Sequence, residues 1–168
     1  MKKLFFLAAF AVFGLSTMNA QDFNVGVSAA LPMGDAGDIT TFGVNLDVNY
    51  LWEVSDDFSA GIATGYQHYF GDEVSETFLG QTVTFEYDDF GFLPIAAAGR
   101  FNVSEEFTLG ADLGYAVGLS PDGNDGGFYY APKVQYGVSE SLDIVLSYKG
   151  ISNDGSFDAL SLGVEFGL

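Results

Sequence analysis

The feature that most constrains this chain is an alternation of apolar with small or polar residues, repeated along nearly all of residues 21–168. Successive side chains of a β-strand point to opposite faces, so a period of two predicts strands whose faces meet different surroundings. Eight segments show this period, and the clearest run over residues 42–54 and 107–117. The sequence therefore predicts an all-β domain of eight antiparallel strands.

The connections between these segments alternate between short and long. Three tight polar turns, within residues 54–58, 103–107 and 138–142, are flanked by apolar residues, which is typical of hairpins. The long loops cover residues 32–41, 71–90, 120–127 and 150–156. Short turns at one end and long loops at the other are typical of an outer-membrane barrel. The second long loop contains an alternating stretch of its own at residues 82–87, so we expect the third and fourth strands to continue beyond the membrane as a protruding hairpin.

The two faces of the predicted strands differ in composition. One face carries mainly Gly, Ala, Ser, Thr and Asn with a few charges, and the other is apolar and carries no charged residue. Small side chains suit the narrow interior of an eight-stranded barrel, so the apolar face is predicted to meet lipid. Aromatic residues also gather near the strand ends, as they do at both interfaces of a membrane. They are Phe23, Trp52, Phe58, Phe101, Phe107, Tyr136 and Phe166 near the short turns, and Phe42, Tyr66, Tyr115, Phe128 and Tyr148 near the long loops.

The first twenty residues have the layout of a secretory signal peptide. Lys2 and Lys3 precede an apolar run at residues 4–15, and small or polar residues follow up to Ala20. This run is too short to span a bilayer as a helix. We expect cleavage near Ala20, which leaves residues 21–168 as one domain. The sequence has no cysteine, so a disulfide or a cysteine-based metal or redox site is excluded.

The charge of the chain is strongly acidic. Asp and Glu number 23 against 5 Lys and Arg, and two of those lysines lie in the predicted signal peptide. Such a chain would repel nucleic acid, so that class of partner is excluded.

The remaining basic residues fall on the polar face, together with several acids. Five of these charged positions, on neighbouring strands, are expected at similar heights near the turn end. The arrangement could be a gate across a water path or a buried ion-pair network that plugs the lumen, and the narrow barrel favours the network. The five positions at similar heights are Arg100, Asp112, Lys133, Asp143 and Glu165. The other two predicted lumen charges are Asp47 and Lys149.

Catalytic and metal sites find little support in the sequence. His68 is the only histidine, and Ser75 or Glu76 are its conceivable partners in a lipid-A-modifying enzyme. His68 falls at the rim on the apolar face and no motif surrounds it, so we expect no enzyme activity and no cofactor. Residues 122–127 resemble the start of an EF-hand loop, but the fifth position is Gly126 and no Glu follows at the twelfth, so no metal is expected.

Taken with the last strand, residues 160–168, these features resemble the outer-membrane β-barrel domain family, whose best-known members include OmpX and the OmpA transmembrane barrel. The resemblance spans residues 21–168. It implies an eight-stranded antiparallel up-and-down transmembrane β-barrel, preceded by a cleavable signal peptide, monomeric and in contact with outer-membrane lipid and lipopolysaccharide. It also implies that the segment from Leu160 to Leu168 is recognised by the barrel-assembly machinery. That signal usually ends in Phe, whereas here Phe166 is followed by two further residues.

Members of this family are structural, adhesion or stress-related surface proteins and seldom enzymes, which implies a structural or surface-interaction role in the outer membrane. The protruding second loop is the expected contact surface for an external partner of unknown identity. Three alternatives remain open: a lipid-A-modifying enzyme, a narrow pore, and a soluble lipocalin-like binding barrel. The candidate contact residues of the loop are Glu73, Glu76, Phe78, Phe85 and Tyr87.

Overall fold

The computed structural model describes residues 21–78 and 81–168, so the predicted signal peptide lies outside the described residues. These residues form ten strands and one short 3-10 helix, Gly34–Asp38. None of the described residues belongs to a helix long and apolar enough to cross a membrane. The strands are β1 (Gln21–Met33), β2 (Thr40–Ser55), β3 (Phe58–Gly71), β4 (Glu73–Phe78), β5 (Gln81–Glu86), β6 (Phe90–Asn102), β7 (Phe107–Ser120), β8 (Gly127–Ser139), β9 (Leu142–Ser152) and β10 (Ser156–Gly167).

Eight of the strands close into an antiparallel barrel in the order β1-β10-β9-β8-β7-β6-β3-β2. Each barrel strand pairs with the barrel strands that come before and after it in the chain, and the β4–β5 hairpin is inserted between β3 and β6. The barrel therefore has up-and-down topology. The first and last strands close it in a regular register that includes Val25 opposite Phe166 and Leu31 opposite Leu160. Closure leaves the barrel without an unpaired edge. The prediction of an all-β, eight-stranded antiparallel barrel is confirmed.

The alternation of faces follows the sequence pattern on all eight barrel strands. In β6, where Pro94 and three consecutive alanines blur the pattern, Arg100 is buried with Ala96 and Ala98, while Ile95 and Phe101 are exposed. One charged side chain does lie on the outward face: Asp158, opposite the outward Met33, accepts a hydrogen bond from the Tyr130 hydroxyl at 2.9 Å. Because Asp158 lies near the loop end of β10, the apolar band below it is unbroken.

The predicted hairpin beyond β3 is present, but it does not continue the barrel sheet. Strands β4 and β5 form a separate two-stranded sheet, and the expectation of continuous long strands is wrong. At the junction the amide of Gly71 donates to the Asp89 carboxylate at 2.9 Å, and the amide of Asp72 donates to the carbonyl of Ile39 at 3.0 Å. Asp72 belongs to neither strand, and these bonds hold the junction between the barrel sheet and the β4–β5 hairpin.

Candidate functional site: the filled interior of the barrel

Three of the predicted lumen charges form one cluster. Asp112 accepts from Arg100 Nη1 at 2.7 Å and from Lys133 Nζ at 2.6 Å, and each of the three side chains is only 4% exposed. The residues come from adjacent strands, β6, β7 and β8. Gly110 of β7 stands between Arg100 and Lys133 in the register, and a Cβ there would lie 2.7 Å from Arg100 Cδ. The missing side chain gives both cations room to reach one carboxylate.

A second ion pair crosses the lumen. Lys149 of β9 donates to both carboxylate oxygens of Asp47 of β2, each at 2.7 Å, and β1 and β10 separate these two strands in the barrel. Glu165 of β10 also joins strands that are not neighbours, because it accepts from Asn49 Nδ2 at 2.8 Å and from Gln135 Nε2 at 2.7 Å. Together with the Asp112 cluster, these contacts form a polar belt across the barrel.

Asp143 is not joined to a cation among the described residues. Its partner in the register is Glu165, a like charge, and its side chain is half-buried beside the cavity of about 230 Å³ at the turn end of the barrel. Of the five charges expected at a common height, Arg100, Asp112 and Lys133 contact one another. Asp143 and Glu165 instead lie opposite each other on β9 and β10.

Above the polar belt, an aromatic layer fills the loop end of the interior. The ring of Phe157 lies 4.7 Å from Tyr69, 5.2 Å from Phe92 and 5.4 Å from Phe90, measured between ring centroids. Tyr129 is buried in the same cluster. Two cavities of about 10 Å³ each lie beside Asp47 and Lys133 of the polar belt. Each has room for about one water molecule. In the described part of the chain, the interior is thus blocked by two successive layers.

His68 is placed at the outer rim, but without the partners considered from the sequence. Its Nδ1 lies 3.2 Å from the Tyr66 hydroxyl and its Nε2 lies 3.3 Å from the Asp89 carboxylate. The Ser75 hydroxyl instead bonds Thr84 at 2.9 Å. The structure therefore does not bring Ser75 to His68, and the Glu76 side chain lies outside the described residues. Across the residues described, no group of three His, Asp or Glu side chains is arranged to hold a metal ion.

The candidate interaction loop projects from the barrel as the β4–β5 hairpin. Glu73 is exposed, and the side chains of Phe85 and Tyr87 are exposed to 58% and 43%. The side chains of Glu76 and Phe78 lie outside the described residues. Exposed aromatic residues on such a projection form a surface that a partner could contact.

One property of the surface was missed from the sequence. Arg100, Lys133 and Lys149 are the only basic residues of the segment 21–168, and all three are buried in the lumen. The outside of the described barrel therefore carries carboxylates without a single lysine or arginine. The sequence signal for this property is that all three fall on the polar face of their strands.

A closed up-and-down barrel with an apolar outside and a polar, filled inside has the architecture of the small transmembrane β-barrels. The chain is similar in fold to Ail, the attachment invasion locus protein of Yersinia pestis, with a TM-score of 0.56 and 16% identity over 90% of this chain and 100% of that one. It is also similar to a de novo designed transmembrane β-barrel, with a TM-score of 0.57 and 13% identity over 90% of this chain and 98% of the design.

Neisserial surface protein A is a third similar structure, with a TM-score of 0.50 and 18% identity over 88% of this chain and 97% of that one. No protein-family model and no curated protein matches the sequence. At these identities the similarity establishes the fold, which is that of the eight-stranded outer-membrane barrels.

Proposed function

We propose that this protein is a small integral outer-membrane barrel with a structural or surface-interaction role. The observation that carries the proposal is the continuous band of exposed apolar side chains around a closed barrel, including Val27, Ile62, Leu113 and Leu162, each 48–60% exposed. In water such a band would be an apolar patch far larger than soluble monomers tolerate. In hydrocarbon it is well solvated, and closure satisfies the backbone hydrogen bonds that lipid cannot supply.

The dimensions and the aromatic side chains support this placement. The barrel strands have 11 to 16 residues, and a tilted strand needs about 9–11 to cross a bilayer. Near the turns, Phe107 and Tyr136 lie 5.0 Å apart, and near the loops Phe42 stacks on Phe70 at 4.5 Å. These belts suit the two interfaces of the membrane. The short turns then face the periplasm and the long loops and the β4–β5 hairpin face outward.

The filled interior supports a structural role for the lumen charges. An ion pair joins β2 to β9, and hydrogen bonds to Glu165 join β10 to both β2 and β8. These contacts tie opposite walls of the barrel together, and the aromatic layer closes the space above them. Neither layer leaves a path for ions, so we propose that the barrel does not conduct. His68 contacts Tyr66 and Asp89 rather than Ser75, whose hydroxyl bonds Thr84, so we also propose that the protein is not an enzyme.

The outer surface limits the partners of the loops. Ail has been crystallised with the heparin analogue sucrose octasulfate. The exterior of this chain has only acidic charges over its described residues, so a sulfated ligand of that kind would be repelled. We propose that the β4–β5 hairpin contacts a neutral or basic external partner through Glu73, Phe85 and Tyr87, with Glu76 and Phe78 as further candidates.

The two ends of the sequence support export to the outer membrane. Residues 1–20 act as a signal peptide cleaved near Ala20, and residues 160–168 are recognised by the barrel-assembly machinery. The protein then stays a monomer surrounded by lipid and lipopolysaccharide.

The test is fractionation of cells that express the protein, followed by gel mobility in SDS with and without boiling. A faster unboiled band in the outer-membrane fraction is expected, because a closed barrel resists detergent. Recovery in the soluble periplasm without a mobility shift would contradict the proposal. In a second step, deletion of residues 73–87 should keep the mobility shift and abolish binding of external partners, since the hairpin forms a sheet separate from the barrel.

A further inference from the structure

A cavity of about 420 Å³ opens at the loop end of the barrel, above the aromatic layer. Its walls are the β7–β8 loop, including Asp122 and Asp125, and the β9–β10 loop, including Asp154. Cavities that bind small molecules usually enclose about 300–1,000 Å³, so this one is large enough for a compact ligand. It is separate from the polar belt and from the β4–β5 hairpin.

The cavity combines an aromatic floor with an acidic rim. Phe90 and Phe157 are partly exposed at its base, where Phe92 and Ile151 are buried beneath them. The rim carboxylates of Asp122, Asp125 and Asp154 are all exposed. Aromatic faces attract cations through the negative charge of the ring face, and nearby carboxylates add to that attraction.

No side chain of the described barrel compensates the rim carboxylates. Each rim residue lacks an ion pair within the described part of the chain, and the lysine and arginine residues of the barrel lie below the aromatic layer, engaged with Asp47 and Asp112. His68, at the loop end, contacts Asp89. The positive charge that complements this cavity therefore has to come from another molecule.

Hydrogen bonds hold both walls of the cavity in place. Asn153 Nδ2 donates to the carbonyl of Gly126 at 3.0 Å and so joins the two loops. Asn124 Nδ2 donates to the Ser120 carbonyl at 2.8 Å, and the Tyr115 hydroxyl donates to the Asp125 carbonyl at 2.8 Å. A site formed before the ligand arrives loses less conformational entropy on binding.

We propose that this outer-mouth cavity binds small organic cations that carry the charge on an aromatic or apolar body. The apolar body lies on Phe90 and Phe157, and the cationic group lies over the rings and between the carboxylates of Asp122 and Asp154. Anions are excluded by the rim, and neutral molecules of the same shape gain only the contact with the floor. This inference goes beyond the proposed function and does not depend on where the barrel resides.

The experiment is isothermal titration of the purified full-length mature barrel in nonionic detergent with benzyltrimethylammonium. Neopentylbenzene, its uncharged isostere, serves as the matched ligand, and titration into empty micelles gives the background. We expect saturable binding of the cation that weakens with added salt, and binding of the neutral isostere that is about tenfold weaker or absent. Equal binding of both ligands, or no saturable binding of the cation at millimolar concentration, would overturn the proposal.

Variants then locate the site. Asp122→Asn combined with Asp154→Asn should weaken binding of the cation about fivefold, and Phe90→Leu, which keeps an apolar side chain but removes the ring, should weaken it about threefold. Glu105→Gln, an exposed charge in the β6–β7 turn at the opposite end, is the control and should leave affinity unchanged. Each variant must keep the mobility shift of the folded barrel. The assignment fails if Glu105→Gln weakens binding as much as the rim variants do, or if the rim variants have no effect.

Discussion

Neutralising Asp112 tests whether the lumen charges stabilise the barrel. The change Asp112→Asn removes the one carboxylate that both Arg100 and Lys133 contact, and all three side chains are almost fully buried. Breaking a buried ion pair by removing one partner costs about 3–5 kcal/mol. Here one change leaves two cations without their carboxylate, so we expect a loss of about 5 kcal/mol in the free energy of unfolding. The same change at Asp47 should cost less, because its side chain is 21% exposed and contacts one cation.

The measurement is urea unfolding of the refolded barrel in detergent or lipid vesicles. Trp52 is the only tryptophan, and its side chain is 41% exposed on the outward face near the turns, so its fluorescence reports loss of the apolar surroundings. The triple variant Arg100→Met, Asp112→Leu, Lys133→Met serves as the control, since replacing a whole buried network with apolar residues is often neutral. An Asp112→Asn barrel within about 1 kcal/mol of the parent, or a triple variant as unstable as the single one, would refute the reasoning.

Leu113→Lys, in the middle of the apolar band of β7, should destabilise the barrel in vesicles by about 2–4 kcal/mol. Val54→Lys, beside the first turn, should cost about 1 kcal/mol or less. Equal effects of the two changes in the unfolding assay would argue against the lipid-facing assignment. Planar-bilayer recordings should show no conductance for the parent or for Phe157→Ala, because the polar belt still closes the lumen below the aromatic layer; steady channels in the parent would contradict this. Mass spectrometry of the protein from outer membranes should place its first residue at Gln21, and a mass that retains residues 1–20 would exclude cleavage near Ala20.

The strands and their faces could be predicted because lipid and lumen impose different chemistry on alternate residues. Even in β6, one charged residue, Arg100, was enough to assign the faces. The pairing of lumen charges was less accessible, since the contact between Asp47 and Lys149 depends on how far each strand is staggered around the barrel, and a period of two does not specify the stagger.

The loops were the least predictable part for a related reason. The junction at Asp72 depends on hydrogen bonds to Ile39 and, through Gly71, to Asp89, which are distant in sequence. The outer-mouth cavity likewise forms from two loops joined by Asn153 and Gly126, and no periodic pattern marks such a contact.

The burial of every basic residue of the barrel has a practical consequence for detecting it on cells. Trypsin cleaves after lysine and arginine, which in residues 21–168 occur at positions 100, 133 and 149, each no more than 7% exposed. Tryptic shaving of intact cells would therefore leave the folded protein uncut, and amine-reactive dyes would find no lysine to label on its exterior. A protease that cleaves after glutamate, or a reagent that couples to carboxylates, would detect the same molecule through residues such as Glu73 and Glu86.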